Sequence, residues 1–121
     1  MRIGLDLVTV EQAATLISGR PDGEGGVFAE QELEAAGAME GRRRSEFLAG
    51  RFAVKEAFVK AVGGTAGIDP RDIACLAQPS GAPALEVRGS ALAARERVGC
   101  ERAAVSISHD GGLAAAVVVL T

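Results

Sequence analysis

The sequence contains no Trp and no Tyr, and only four Phe and one His among its 121 residues. Without stacking aromatics there is no basis for a single-stranded nucleic-acid face. A formal net charge of −3 leaves no basic surplus for phosphate backbones, so nucleic acid is not an expected partner. The two cysteines, Cys75 and Cys100, have no CxxC spacing and no neighbouring His, which removes zinc and dithiol chemistry. No apolar run approaches the roughly 18 residues of a membrane span, and MRIGLDLV has no secretory core. A cytoplasmic chain with free thiols and no membrane partner is the expectation. What remains is 48% apolar and 24% charged, enough for one folded domain over residues 1–121. Lysine is scarce, and both lysines fall close together, at 55 and 60.

The pattern predicts one α+β domain: a small antiparallel sheet packed around a long central helix. Arg2 to Val8 reads as a buried strand and Thr9 to Ser18 as a short amphipathic helix. GRPDGEGG, from Gly19, reads as a mobile loop and Ala29 to Met39 as an acidic helix. Ser45 to Val62 (SEFLAGRFAVKEAFVKAV) is apolar over most of its circumference, the signature of a buried helix, with Ser45 a candidate N-cap and Gly63 a candidate stop. Strands are predicted at Asp72 to Ala77 and Ala84 to Arg88, then a helix at Ser90 to Val98. Ala103 to Ser108 and Leu113 to Leu120 read as a closing hairpin.

Charges inside these apolar elements carry the chemical signal. Glu56 lies between Phe52 and Val59, where burying an unpaired carboxylate costs several kcal/mol. An i,i+4 pair with Lys60 is one reading and a bound cation the other. Asp6 interrupts the first strand in the same way. Two carboxylates without His or Cys suit Mg²⁺ better than zinc. The Gly-rich stretch from Gly63 to Gly67 leaves a helix, whereas a phosphate-binding P-loop enters one. Arg42-Arg43-Arg44 precedes the long helix, where cations oppose the helix dipole, so an anionic partner explains the run better than stability does. Arg51 and Lys55 add cationic positions on the helix itself. Ser108 and His109 are successive strand-end residues on opposite faces, and no GxSxG elbow is present, so a hydrolase triad is rejected.

Four segments together resemble the holo-[acyl-carrier-protein] synthases, the short 4′-phosphopantetheinyl transferases. Ile3-Gly4-Leu5-Asp6-Leu7-Val8 is similar to the family's opening G-[ILV]-D-[ILV] strand, and the block from Phe47 to Ala61 to its FLAxRFAxKEAxxKA helix. Ser80-Gly81-Ala82-Pro83 resembles its GKP turn, and Val105 to Asp110 its VSxSH strand. The resemblance implies Mg²⁺-dependent transfer of phosphopantetheine from coenzyme A to a serine of an apo-acyl carrier protein, releasing adenosine 3′,5′-bisphosphate. It implies that Asp6 and Glu56 hold the metal and that Lys60 meets phosphate oxygens. Gly63, Gly64 and Thr65 would lie along the CoA, with Arg43, Arg51, Pro83 and His109 around the nucleotide. It also implies a homotrimer with active sites at subunit interfaces, for which the apolar strand Leu113 to Leu120 is the candidate buried surface. Three departures stand out: no arginine in the first helix, a longer Gly loop, and Ala82 in place of lysine. The alternative is a non-catalytic CoA- or carrier-binding paralogue of the same fold.

Overall fold

A computed structural model of the chain describes residues 1–64 and 67–121. Strand β1 (Arg2–Thr9) leads into helix α1 (Val10–Ser18), a single 3₁₀ turn at Gly23–Gly26, and helices α2 (Glu30–Gly37) and α3 (Gly41–Val62). A 3₁₀ turn at Pro70–Asp72 precedes the ribbon β2 (Ile73–Ala77) and β3 (Pro83–Val87), then α4 (Gly89–Arg97). The hairpin β4 (Ala103–Asp110) and β5 (Leu113–Leu120) closes the chain. The α+β expectation holds, with the sheet divided in two: a three-stranded antiparallel sheet in the order β1-β5-β4, and the separate antiparallel ribbon β2-β3.

One face of the larger sheet lies on α3. Alternation along β5 puts Ala114, Ala116, Val118 and Leu120 beneath the helix, against Val54, Ala57, Phe58 and Ala61. β1 comes even closer. A Cβ on Gly4 would lie 1.7 Å from the carbonyl oxygen of Ala57, so only glycine permits this contact. The reading of β1 as a buried strand is corrected: it is an edge strand with one face outward, where Ile3, Leu5 and Leu7 are 57%, 62% and 64% exposed. β5 is the middle strand, so its buried residues face α3 and the large exposed apolar side chains of the outer face come chiefly from β1.

The long helix begins at Gly41, with Glu40 as N-cap, five residues before the expected cap at Ser45. The arginine run therefore lies inside the first turn. Glu46 forms an ion pair with Arg42 at 3.0 Å, and Glu24 takes a two-pronged bond from Arg44 at 2.7 and 2.9 Å. These acids offset the poor placement of cations at a helix N-terminus. The segment read as a mobile loop thus carries a 3₁₀ turn tied to α3. Among the described residues, no helix is long and apolar enough to cross a membrane.

Candidate active site

Asp6 faces inward from β1 because residues 4, 6 and 8 share the face that meets α3. Its side chain is mostly covered, and Lys60 Nζ donates to its Oδ1 at 3.0 Å and to the Leu5 carbonyl oxygen at 2.9 Å. Glu56, on α3, is half-buried, with Arg20 3.8 Å from Oε1. Burial pushes the Glu56 carboxyl pKa above the ordinary range, and the charge on Asp6 pushes it further in the same direction. The i,i+4 pair between Glu56 and Lys60 considered from the sequence does not form: Lys60 turns to Asp6, and Glu56 meets Arg20. Both carboxylates line a groove of about 910 Å³, walled by Leu7, Val8, Phe52 and the α1 side chains Gln12, Thr15 and Leu16. Glu11 of α1 also lines this groove, but among the described residues no group of three or more His, Cys, Asp or Glu side chains is placed to hold a metal ion together.

Arg43, Arg51 and His109 gather elsewhere. With Met39, Arg42, Glu46 and Phe47 they line a second depression, of about 470 Å³. Arg51 stacks on the Phe47 ring, 4.2 Å from its centroid, and donates from Nε to the Cys75 carbonyl oxygen at 3.3 Å. His109 Nε2 lies 2.8 Å from the Glu46 carbonyl oxygen. That reach across to α3 needs Gly50, where a Cβ would approach Nε2 to 2.8 Å. Arg42 and Arg44 spend their charge on Glu46 and Glu24, whereas Arg43 makes no ion pair among the described residues. At 100° per residue, Arg43 and Arg51 each sit about 140° around α3 from Glu56. Within one chain, the carboxylate cluster and the arginine cluster therefore face different directions.

The remaining expected residues lie apart from both clusters. Gly63 ends α3 with a left-handed backbone, its amide bonded to the Val59 and Lys60 carbonyls, and Gly64 follows. Arg2 Nε caps the same helix end by donating to the Ala61 carbonyl oxygen at 2.6 Å. Thr65 falls outside the described residues. Pro83 opens β3 opposite Ala77 and lines neither groove.

Sequence reasoning missed the most deeply placed charges. Lys55, read as a cationic position beside Arg51, is 2% exposed and pairs at 2.7 Å with Glu32, which is 0% exposed. A signal existed. Lys55 falls in the apolar row of Leu48, Phe52 and Val59, which a solvated lysine would not occupy.

Residues 2–118 match the model of the 4′-phosphopantetheinyl transferase superfamily. Over 118 residues the chain is 40% identical to the holo-[acyl-carrier-protein] synthase of Salinispora arenicola, spanning 97% of this chain and 94% of that one. The solved ACPS–CoA complex of Chronobacterium ammoniagenes is 34% identical, with a TM-score of 0.82 over 99% of this chain and 96% of that one. The holo-(acyl-carrier-protein) synthase of Bacillus anthracis, in complex with CoA (3′,5′-ADP), is 30% identical, with a TM-score of 0.80 over 98% and 94%.

Proposed function

The chain belongs to the 4′-phosphopantetheinyl transferase superfamily, and from that premise we infer that it is a holo-[acyl-carrier-protein] synthase. It moves the 4′-phosphopantetheine arm of coenzyme A onto a serine of an apo-acyl carrier protein, and adenosine 3′,5′-bisphosphate leaves. The serine oxygen forms a bond to the pantetheine-bearing phosphorus, the bond from that phosphorus to the bridging oxygen breaks, and the serine proton is lost. The nucleophile arrives with the carrier, which accounts for the absence of an activated Ser or Cys here.

The observation that supports this most strongly is the meeting of Asp6 and Glu56 in one groove, with the Glu56 pKa raised by burial and by its neighbour's charge. Such a pair favours a divalent cation, and its all-oxygen donor set suits Mg²⁺, which takes one or two carboxylates and completes its shell with water and phosphate. Asp6 and Glu56 would hold the metal. When bound, Mg²⁺ would supply Lewis-acid stabilisation of charge on the phosphoryl oxygens and the leaving phosphate. Lys60 already stands on Asp6 with its ammonium half-exposed, so it can turn an N–H to a phosphate oxygen without leaving the carboxylate. Gly63 and Gly64 would offer backbone along the CoA. Arg43 and Arg51, with His109 beside them, form a seat for the 3′-phosphate and nucleotide.

The carboxylate and arginine clusters open in different directions, and the outer sheet face carries Ile3, Leu5 and Leu7 uncovered. Both features favour an assembly in which one copy's arginine cluster completes the next copy's carboxylate groove, and the family resemblance makes that assembly a homotrimer. Release of adenosine 3′,5′-bisphosphate from CoA, measured with and without apo-carrier, tests the reading. Release is expected only with carrier and Mg²⁺, and to stop with EDTA. Unchanged release in EDTA would overturn the metal assignment.

A further inference from the structure

Lys55 and Glu32 take no part in the chemistry above, yet they are the two charged side chains that the fold buries completely among the described residues. All three N–H groups of the Lys55 ammonium have acceptors: Glu32 Oε1 at 2.7 Å, the Pro70 carbonyl at 3.0 Å, and the Ile73 carbonyl. Glu32 is equally engaged, accepting from the Ala29 amide at 2.9 Å and the Cys75 amide at 3.0 Å. The pair thus joins α2, α3, the Pro70–Asp72 turn and the start of β2. Taking two ions out of water is costly, and a well-packed apolar pair often stabilises a core as well or better. What an apolar pair cannot do is grip main-chain carbonyls.

Two of the three acceptors of Lys55 are such carbonyls, at either end of the Pro70–Asp72 turn, so the chain there wraps around the ammonium. The wrapped segment is one wall of a further groove, of about 300 Å³, lined by Arg20, Glu56, Val59, Ile68, Pro70 and Ile73, with Lys55 at its base. Glu56 and Arg20 border this groove and the larger one. We propose that Lys55, closed off by Glu32, is a positioning residue: it holds the 68–73 wall against α3 so that the groove beside Glu56 keeps the shape that accepts CoA. The role rests on the transferase reading and acts on binding before it acts on chemistry.

The test compares Lys55→Met plus Glu32→Leu with the wild-type protein and with Lys55→Arg. CoA affinity is measured calorimetrically without carrier, and KM for CoA and kcat with carrier. The double variant is expected to melt close to wild type. Its CoA affinity is expected to fall about 10- to 100-fold, the range seen when groups supporting a ligand site are removed, with KM rising more than kcat falls. Lys55→Arg is expected to lie between, because a planar guanidinium cannot serve the same three acceptors. Wild-type CoA affinity and KM in a folded double variant would overturn the proposal and leave the pair a purely structural one. Should the double variant fail to fold, Lys55→Arg decides, and an unchanged KM for CoA there overturns it. Failure of wild-type protein to modify any carrier would sink the transferase reading instead; CoA affinity, measured without carrier, separates the two.

Discussion

Glu56 is held where its charge is unwelcome: burial and Asp6 both raise its pKa, against which stand the charges of Arg20, 3.8 Å away, and Lys60. A site that stores such strain trades stability for function. Glu56→Gln, which removes the charge and keeps the shape, is therefore expected to raise the melting temperature of the metal-free protein. It should also cut carrier modification by at least about 100-fold through loss of a metal ligand. A thermal melt in EDTA beside a transfer assay checks both, and a variant that is less stable and still active would contradict both. Glu56 and Asp6 stood out as candidates in the sequence because each sets a carboxylate in an apolar run, where a structural pairing is the competing explanation. Lys55 was subject to the same logic, but its counter-ion comes from Glu32, 23 residues earlier on another helix. Periodicity along one element says nothing about which charge another element will bring.

At the level of elements, β1 and α3 place the candidate site, and Gly4 sets their distance. Gly4→Ala is expected to destabilise the fold by about 3 kcal/mol, the upper part of the overpacking range, and to displace Asp6 with the strand. Chemical denaturation measures the first and Mg²⁺ titration the second; a fully stable variant would show that the strand can shift freely. The start of α3 offers a pH-dependent test. The bond from Arg44 holds the Glu24 carboxyl below its ordinary pKa. Its contribution is therefore present above the ordinary glutamate range and is lost as pH falls through the lowered value. Protection of the amides of residues 20–27 against exchange, taken relative to the intrinsic rate at each pH, is expected to fall on acidification, and Glu24→Gln to show the lowered protection already at neutral pH. A variant with wild-type exchange would contradict the tie. The sequence had marked this stretch as a free loop and begun the helix at Ser45, because four glycines and three adjacent arginines look unstructured until Glu24 and Glu46 are seen to answer Arg44 and Arg42.

Across the whole molecule, the division of the candidate residues between two faces of α3 is what one copy of the sequence could least reveal. The motifs named the candidate residues, and the apolar closing strand suggested an interface. The register puts β5 in the middle of the sheet, with β1 beside it presenting Ile3, Leu5 and Leu7 outward. Leu5→Asp is expected to leave a folded monomer by light scattering, with transfer lost along with assembly. A monomer of full activity would contradict a site shared between copies. Mixing Glu56→Gln with Arg51→Ala subunits is expected to restore part of the activity that each lacks alone, since one interface can then hold two intact halves. The most direct test of the central claim is intact-mass spectrometry of apo-acyl carrier proteins incubated with this protein, CoA and Mg²⁺. The expected result is the mass gain of one phosphopantetheine on at least one carrier, abolished by EDTA. No gain on any carrier, from folded protein that binds CoA, would contradict it.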